Sequence, residues 1–187
     1  MNRSILNPVR KSRMEMDHVY YWTYTVKDWK HLFKQDKYKQ LIINILREQV
    51  EKKQIAIYGF VIMPNHIHLL WELLLMNGKE KPNASFNKST SHIILNDLKL
   101  LHPAVLPYFK VDEPKREYRI WQEDPLAVLM DSKEKFLQKL DYIHNNPLQD
   151  KWNLAKRPEE YLWSSADFYE SGIDKFGILS HYRERFG

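Results

Sequence analysis

Residues 55–72, IAIYGFVIMPNHIHLLWE, read as two strands joined by a tight turn, with two histidines placed just beyond it. Ile55, Ile57, Val61 and Ile62 are β-branched and Tyr58 and Phe60 are aromatic, types that suit a pleated, half-buried surface. Met63-Pro64-Asn65 supplies the turn chemistry between the runs. A hairpin is the result. His66 and His68 project from one face of its second strand, with Cβ atoms roughly 7 Å apart for a rise of about 3.3 Å per residue. Ile67 and Leu69 point the other way, into a core. Two imidazoles converging from one strand face can chelate a metal ion, but they leave its shell incomplete, so a third ligand has to come from elsewhere. By itself the pair is more often a polar decoration of a solvent-facing strand. A partner elsewhere in the chain decides between the two.

The chain has 187 residues, a length that fits one domain, 1–187, with a sizeable core and a basic tail over residues 1–16. Hydrophobic residues make up 43% and charged residues 28%, without repeats or low-complexity tracts, as in an ordinary globular chain. No apolar run approaches the roughly 20 residues needed to span a bilayer, and MNRSILNPVRKSRMEMD has no apolar signal core after its charges, so a cytoplasmic protein is expected. The absence of cysteine excludes disulfides, thiolate metal sites and thiol nucleophiles. A net charge of +5 with six Trp, eleven Tyr and eight Phe permits nucleic-acid binding through phosphate contacts and base stacking, without demanding it.

Outward from the hairpin, residues 18–26, HVYYWTYTV, predict a central strand, and residues 36–53 an amphipathic helix with Tyr38, Leu41, Ile42, Ile45 and Leu46 at helical spacing. Polar, turn-rich residues 77–92 read as a mobile surface loop, and residues 93–101 as a helix. Residues 118–122, YRIWQ, read as a short strand or extended arm. The order β, α, β-hairpin, α, β fits an α+β fold in which one antiparallel sheet is covered by helices.

The next helix is the informative one. Asp131 is placed to cap it, with Glu134 in a capping-box-like relation, and Pro147 closes it. Phe136, Leu137, Leu140 and Ile143 form its buried stripe. Tyr142 and Asn146 are four apart and share a face, with Lys135, Gln138 and Lys139 on or near it, while His144 points roughly opposite and reads as structural. Residues 158–172 read as a further helix ended by Gly172, and residues 177–187 as a basic, aromatic tail that either packs across a sheet edge, the first choice, or adds phosphate contacts.

MPNHIHLLWE at 63–72, taken with KLDYIHNNPLQ at 139–149, WQ at 121–122 and YLWSSA at 161–166, resembles the REP-associated tyrosine transposases. These are relatives of the single-strand insertion-sequence transposases of the HUH (His, hydrophobe, His) class, and the likeness runs from about Asp17 to Tyr169. It implies a ferredoxin-like sheet with the tyrosine helix beside the histidine strand. It also implies His66 and His68 as metal ligands, Asn146 as the third ligand and Tyr142 as nucleophile. The activity implied is nicking and strand transfer on single-stranded or hairpin DNA through a covalent 5′-phosphotyrosine, by a monomer or homodimer. A DNA-binding module of the same fold without catalysis is the alternative. Where many members carry a glycine-containing VKAGL after the NNP, this chain has LQDKW at 148–152, a departure at the helix exit.

The chemistry is coherent from the residues up. Three neutral ligands leave a divalent ion its full charge to polarise a phosphodiester. Tyrosine, with a pKa of about 10, is a slow nucleophile but a good leaving group as phenolate, which a reversible covalent intermediate requires. The ligand set suits Mg²⁺ or Mn²⁺, with imidazole favouring Mn²⁺. Lys99, Arg116, Arg119, Lys135 and Lys139 are the candidate phosphate contacts.

Overall fold

The structure, a computed structural model, describes residues 13–123 and 125–187. Two strands, β2 (Ile55–Ile62) and β3 (His66–Leu73), pair antiparallel across Met63-Pro64-Asn65, as their β-branched and aromatic runs predict. Strand β1 (Val19–Thr25) lies against β3, with Thr23 opposite His68 and Thr25 opposite His66. Its far side pairs with β6 (Leu126–Leu129), a strand that comes after a small hairpin of β4 (Lys110–Glu113) and β5 (Arg116–Tyr118). The four-stranded order β2-β3-β1-β6, antiparallel throughout, is ferredoxin-like: helix α1 (Asp36–Glu51) connects β1 to β2, and α2 (Pro82–Leu101) lies between β3 and β6.

The pleat sorts the side chains. Trp71 on β3 meets Trp22 on β1 at 4.9 Å between rings, and Phe86 of α2 packs on both. Burying each such aromatic contributes a few kcal/mol of transfer free energy. Helices α1 and α2 share this face, joined at their outer ends by Tyr38 donating to Asp97 at 2.6 Å. The opposite face carries His66, His68 and Leu70 and is covered by α3 (Lys133–Asn145), which seats Leu140 and Ile143 over Gly59 of β2. Tyr182 and Phe186, at the C-terminal end, pack on Phe136 of α3 from outside. The tyrosine helix is thus held between sheet and tail.

Several expectations are corrected. The segment read as a mobile loop over 77–92 contains the first half of α2, with Pro82 at its first turn and Phe86 and Thr90 fully buried. Residues 86, 90, 94 and 98 form its inner line, and Trp121 Nε1 donates to Thr90 Oγ1 at 2.9 Å, so a threonine serves as a core position. The fourth sheet strand is β6, not 118–122; that stretch runs alongside the end of β1, where Gln122 N donates to Thr25 O and Trp121 bridges Val26. The α3 N-cap is Ser132, whose hydroxyl accepts from Lys135 N, one residue later than Asp131. Leu137 is 37% exposed and so outside the buried stripe.

Residues 158–172 do not form one helix. Only α4 (Ala166–Ser171) is α-helical there, closed by Gly172 in the left-handed region at φ 78°. Before it, residues 161–165 run along the outer edge of β2: Ile62 N donates to Trp163 O, Ser165 N to Phe60 O, and Tyr161 Oη to Ile62 O. Further along, Ser180 N donates to Ile57 O. The tail does pack across a sheet edge, as expected, and covers backbone groups that would otherwise be open to another strand. Its last helix, α5 (Arg183–Phe186), places Arg185 on buried Glu72, which also accepts from Tyr58 Oη at 2.8 Å. The basic tail expected over residues 1–16 lies outside the described residues as far as residue 12.

Candidate active site

His66 and His68 lie side by side on the α3 face of β3, with ring centroids 4.6 Å apart. Their exposures are 6% and 4%, so the surface they share is covered, by α3 and by Trp152 beyond its end, and is not solvent-facing. Burial is the main reason both stay neutral. It lowers His66 to about 4, with Lys151 adding to the effect and Asn146 opposing it. It takes His68 well below the ordinary imidazole value, with His66, Lys139 and Lys151 adding to it.

Each imidazole is oriented through its Nδ1. His66 Nδ1 donates to Asn65 Oδ1 at 2.6 Å, and Asn65 Nδ2 in turn donates to Trp29 O, which fixes the way the amide faces. His66 Nε2 therefore keeps its lone pair. His68 Nδ1 lies 2.7 Å from Thr23 Oγ1 and 3.0 Å from Tyr21 Oη, hydroxyls brought there by the register of β1 on β3. With its proton on Nδ1, given to either hydroxyl, His68 also presents a lone pair at Nε2.

The third group comes from the end of α3. Asn145 Nδ2 bonds back to Asp141 and Pro147 stops the helix, but Asn146 keeps helical angles, φ −57° and ψ −42°, and so stays one turn below Tyr142. It is buried against His66. Tyr142 itself is 43% exposed, with its ring 5.7 Å from that of His68 and 6.3 Å from that of Tyr21. The structure thus brings together the four residues singled out in the sequence.

The donor chemistry fits a divalent ion. His68 Nε2 and Asn146 Oδ1 are buried and have no hydrogen-bond partner. An unsatisfied buried polar atom costs about 1–3 kcal/mol, and two in one place mark a position where a cation would satisfy both. Among the described residues no group of three His, Cys, Asp or Glu could hold a metal. The third donor here is an amide oxygen, which such a grouping does not count.

The alternatives to Tyr142 are committed elsewhere. Tyr161 Oη donates to Ile62 O and Tyr169 Oη to Tyr58 O, both hydroxyls being pushed up by burial. His144 faces Ser165 Oγ at 2.8 Å, away from the histidine pair, in the structural role its spacing predicts.

Of the five candidate phosphate contacts singled out in the sequence, Lys139 alone reaches this site, its ammonium 4.9 Å from the Tyr21 ring and 5.5 Å from the Tyr142 ring. Lys135 pairs with Asp131 at 3.3 Å. Arg116 and Arg119 pair with Glu113, and Arg119 also with Glu123 at 2.9 Å, at the wall of a cavity of about 470 Å³ next to Tyr24 and Trp121. Lys99 sits 5.8 Å over Tyr118. Sequence reasoning missed Thr23, Tyr21 and Asn65. Asn65 stands beside the histidines in MPNHIH, but the other two become visible only through strand register.

Residues 15–103 match the family model described as Transposase IS200 like. This segment is similar to the IS200-like transposases. The matched segment holds β1, β2 and β3 with both histidines, whereas Tyr142 and Asn146 lie beyond it. A solved structure described as the REP-associated tyrosine transposase bound to a REP hairpin is similar in fold, with TM-score 0.59 at 15% identity over 90% of this chain and 88% of its own. A chain from Deinococcus radiodurans, described as a transposase candidate, aligns at TM-score 0.40 and 17% identity over 73% of this chain and 96% of its own, too weakly to carry an argument. Comparison with curated protein sequences returns no match.

Proposed function

We propose that this IS200-like chain nicks and rejoins single-stranded DNA folded into a hairpin, with Tyr142 as the nucleophile. The observation that carries the reading is the half-exposed Tyr142 ring beside buried His68, above two unpartnered acceptors on His68 and Asn146. Tyr142 Oη attacks the phosphorus and the bond from phosphorus to the 3′ oxygen breaks. The 3′ oxygen takes up a proton in place of the one that the tyrosine gives up and leaves as a 3′-OH, and the 5′-phosphate stays on the tyrosine. Attack by a 3′-OH on that phosphotyrosine reverses the exchange. One phosphoester replaces another at each step, so no nucleotide hydrolysis is needed.

His66 Nε2, His68 Nε2 and Asn146 Oδ1 would hold Mg²⁺ or Mn²⁺, which supplies positive charge to polarise the phosphodiester. Asn65, Thr23 and Tyr21 keep the two imidazoles turned to that position, and α3 sets Tyr142 at its rim. Hairpin DNA as substrate is supported by the family match and by the REP hairpin named in the description of the fold neighbour.

Incubating the protein with a hairpin oligonucleotide carrying a single-stranded flank, in Mn²⁺, tests the reading. A species that survives denaturing electrophoresis and yields a Tyr142 phosphopeptide is expected. Tyr142→Phe keeps the ring and should bind the DNA without forming the adduct. Binding by the parent with no adduct under any divalent ion would leave a DNA-binding module of the same fold.

A further inference from the structure

Among the described residues, twelve lysines and arginines already have an acid. Lys27 and Lys30 share Asp28, Lys37 holds Asp97, and the arginines of the β4–β5 hairpin hold Glu113. Two lysines without one stand beside the candidate active site. Among the described residues neither Lys139 nor Lys151 lies in an ion pair; each ammonium rests on an aromatic face instead. Lys139, one turn before Tyr142, sits against the rings of Tyr21 and Tyr142. Lys151, just past the end of the tyrosine helix, lies 5.7 Å from the ring of Trp152, and that ring is 5.9 Å from the His66 ring. The two ammoniums therefore approach the histidine pair from its two ends, Lys139 by way of Tyr142 and Lys151 by way of Trp152.

The ligands are neutral and the nearby cations unpaired, so this concavity is positive before any metal enters. An aromatic face holds an ammonium weakly at an exposed site, enough to aim it and too little to satisfy it. A polyanionic strand supplies the missing charge.

We propose that Lys139 and Lys151 are the two jaws of a backbone clamp that holds the DNA phosphates flanking the scissile linkage, one on the tyrosine side and one on the His66 side. The proposal rests on the reading of the site as one for DNA cleavage. It also gives a use to residues 148–152, LQDKW, where this chain departs from the related VKAGL. The lysine and tryptophan of that turn make the second jaw. Both lysines are positioning residues, acting on phosphates next to the reacting one.

The test uses the full chain carrying Tyr142→Phe, in chelator, so that neither cleavage nor metal enters. Hairpin oligonucleotides with a single methylphosphonate at successive linkages around the cut are titrated against it. Two linkages are expected at which loss of the phosphate charge weakens binding severalfold. Lys139→Gln should abolish that penalty at one of them and Lys151→Gln at the other. Each variant should lower the slope of log affinity against log salt by about 0.7, the value for one phosphate contact to a single strand. Lys151→Arg should keep both the penalty and the slope. Penalties that are the same in parent and lysine variants, or slopes that do not change, would overturn the clamp, as would a uniform loss of affinity at every linkage, which a purely structural lysine gives. Adduct formation by the protein with intact Tyr142 is scored separately, so the cleavage reading can fail while the clamp stands.

Discussion

Leu140 of the tyrosine helix stands so close over Gly59 of the sheet that a Cβ on the glycine would lie 2.7 Å from Leu140 Cδ1, with Ile143 Cδ1 at 3.2 Å. The missing side chain at Gly59 is what lets α3 come down far enough for Tyr142 to meet His68. Gly59→Val should lift the helix, costing about 1–3 kcal/mol of stability by overpacking. Adduct formation should fall further than stability does, since small misplacements of a reacting group are costly. Denaturant melts and adduct rates on the same variant check this; an unchanged rate would show that the helix is not seated through Gly59.

The histidines are buried, and their removal has two separable effects. His66→Ala and His68→Ala should each destabilise the protein by about 1–3 kcal/mol, through the cavity left and the side chains of Asn65 or Thr23 stripped of a partner. They should also remove the response to metal. An ion that binds only the folded parent at one hundred times its dissociation constant adds about 2.7 kcal/mol of stability, and the variants should show none of it. Thermal melts with Mn²⁺ and with chelator read both effects, and a variant still stabilised by Mn²⁺ would remove that histidine from the ligand set.

Thr23 and Tyr21 touch neither the proposed ion nor the substrate phosphate, yet both hydroxyls converge on His68 Nδ1. The double change Thr23→Val with Tyr21→Phe leaves the imidazole in place without an acceptor for its proton. Metal affinity should drop about 10–100-fold, as expected when groups that orient a ligand are lost. Calorimetric titration with Mn²⁺ measures it directly, and an unchanged affinity would mean that burial alone orients the ring.

Thr90→Val tests the region that reads as a loop from its composition. The substitution keeps the shape and leaves the buried Trp121 Nε1 proton without an acceptor, at a cost of about 1–3 kcal/mol. A surface position in a mobile segment would give a change near zero in the same urea titration.

The parts legible in the sequence are those where one local rule decides. Alternation and turn chemistry place the hairpin, the two-residue spacing puts His66 and His68 on one face, and the four-residue spacing aligns Tyr142 with Asn146. Where a local rule meets a tertiary one, the sequence misleads. The first turns of α2 look polar because a threonine, satisfied by a distant tryptophan, occupies a core position. Residues 161–163 look helical beside Pro158, yet Tyr161 and Trp163 are buried and Leu162 is 49% exposed, the two-residue period of a chain lying along an edge. Strand β6 is only four residues long and owes its place to pairing with β1. The hydroxyls behind His68 were beyond reach for the same reason, since register is a property of two strands.

The histidines come from β3 and the tyrosine and asparagine from α3, and a single chain folds them into one cluster. Under the proposed function, the chemically competent unit is then the individual polypeptide. Its nicking rate per molecule should not change on dilution. A copy defective at Tyr142 and another defective at His68 should not rescue each other when mixed, because neither has a spare half-site to lend.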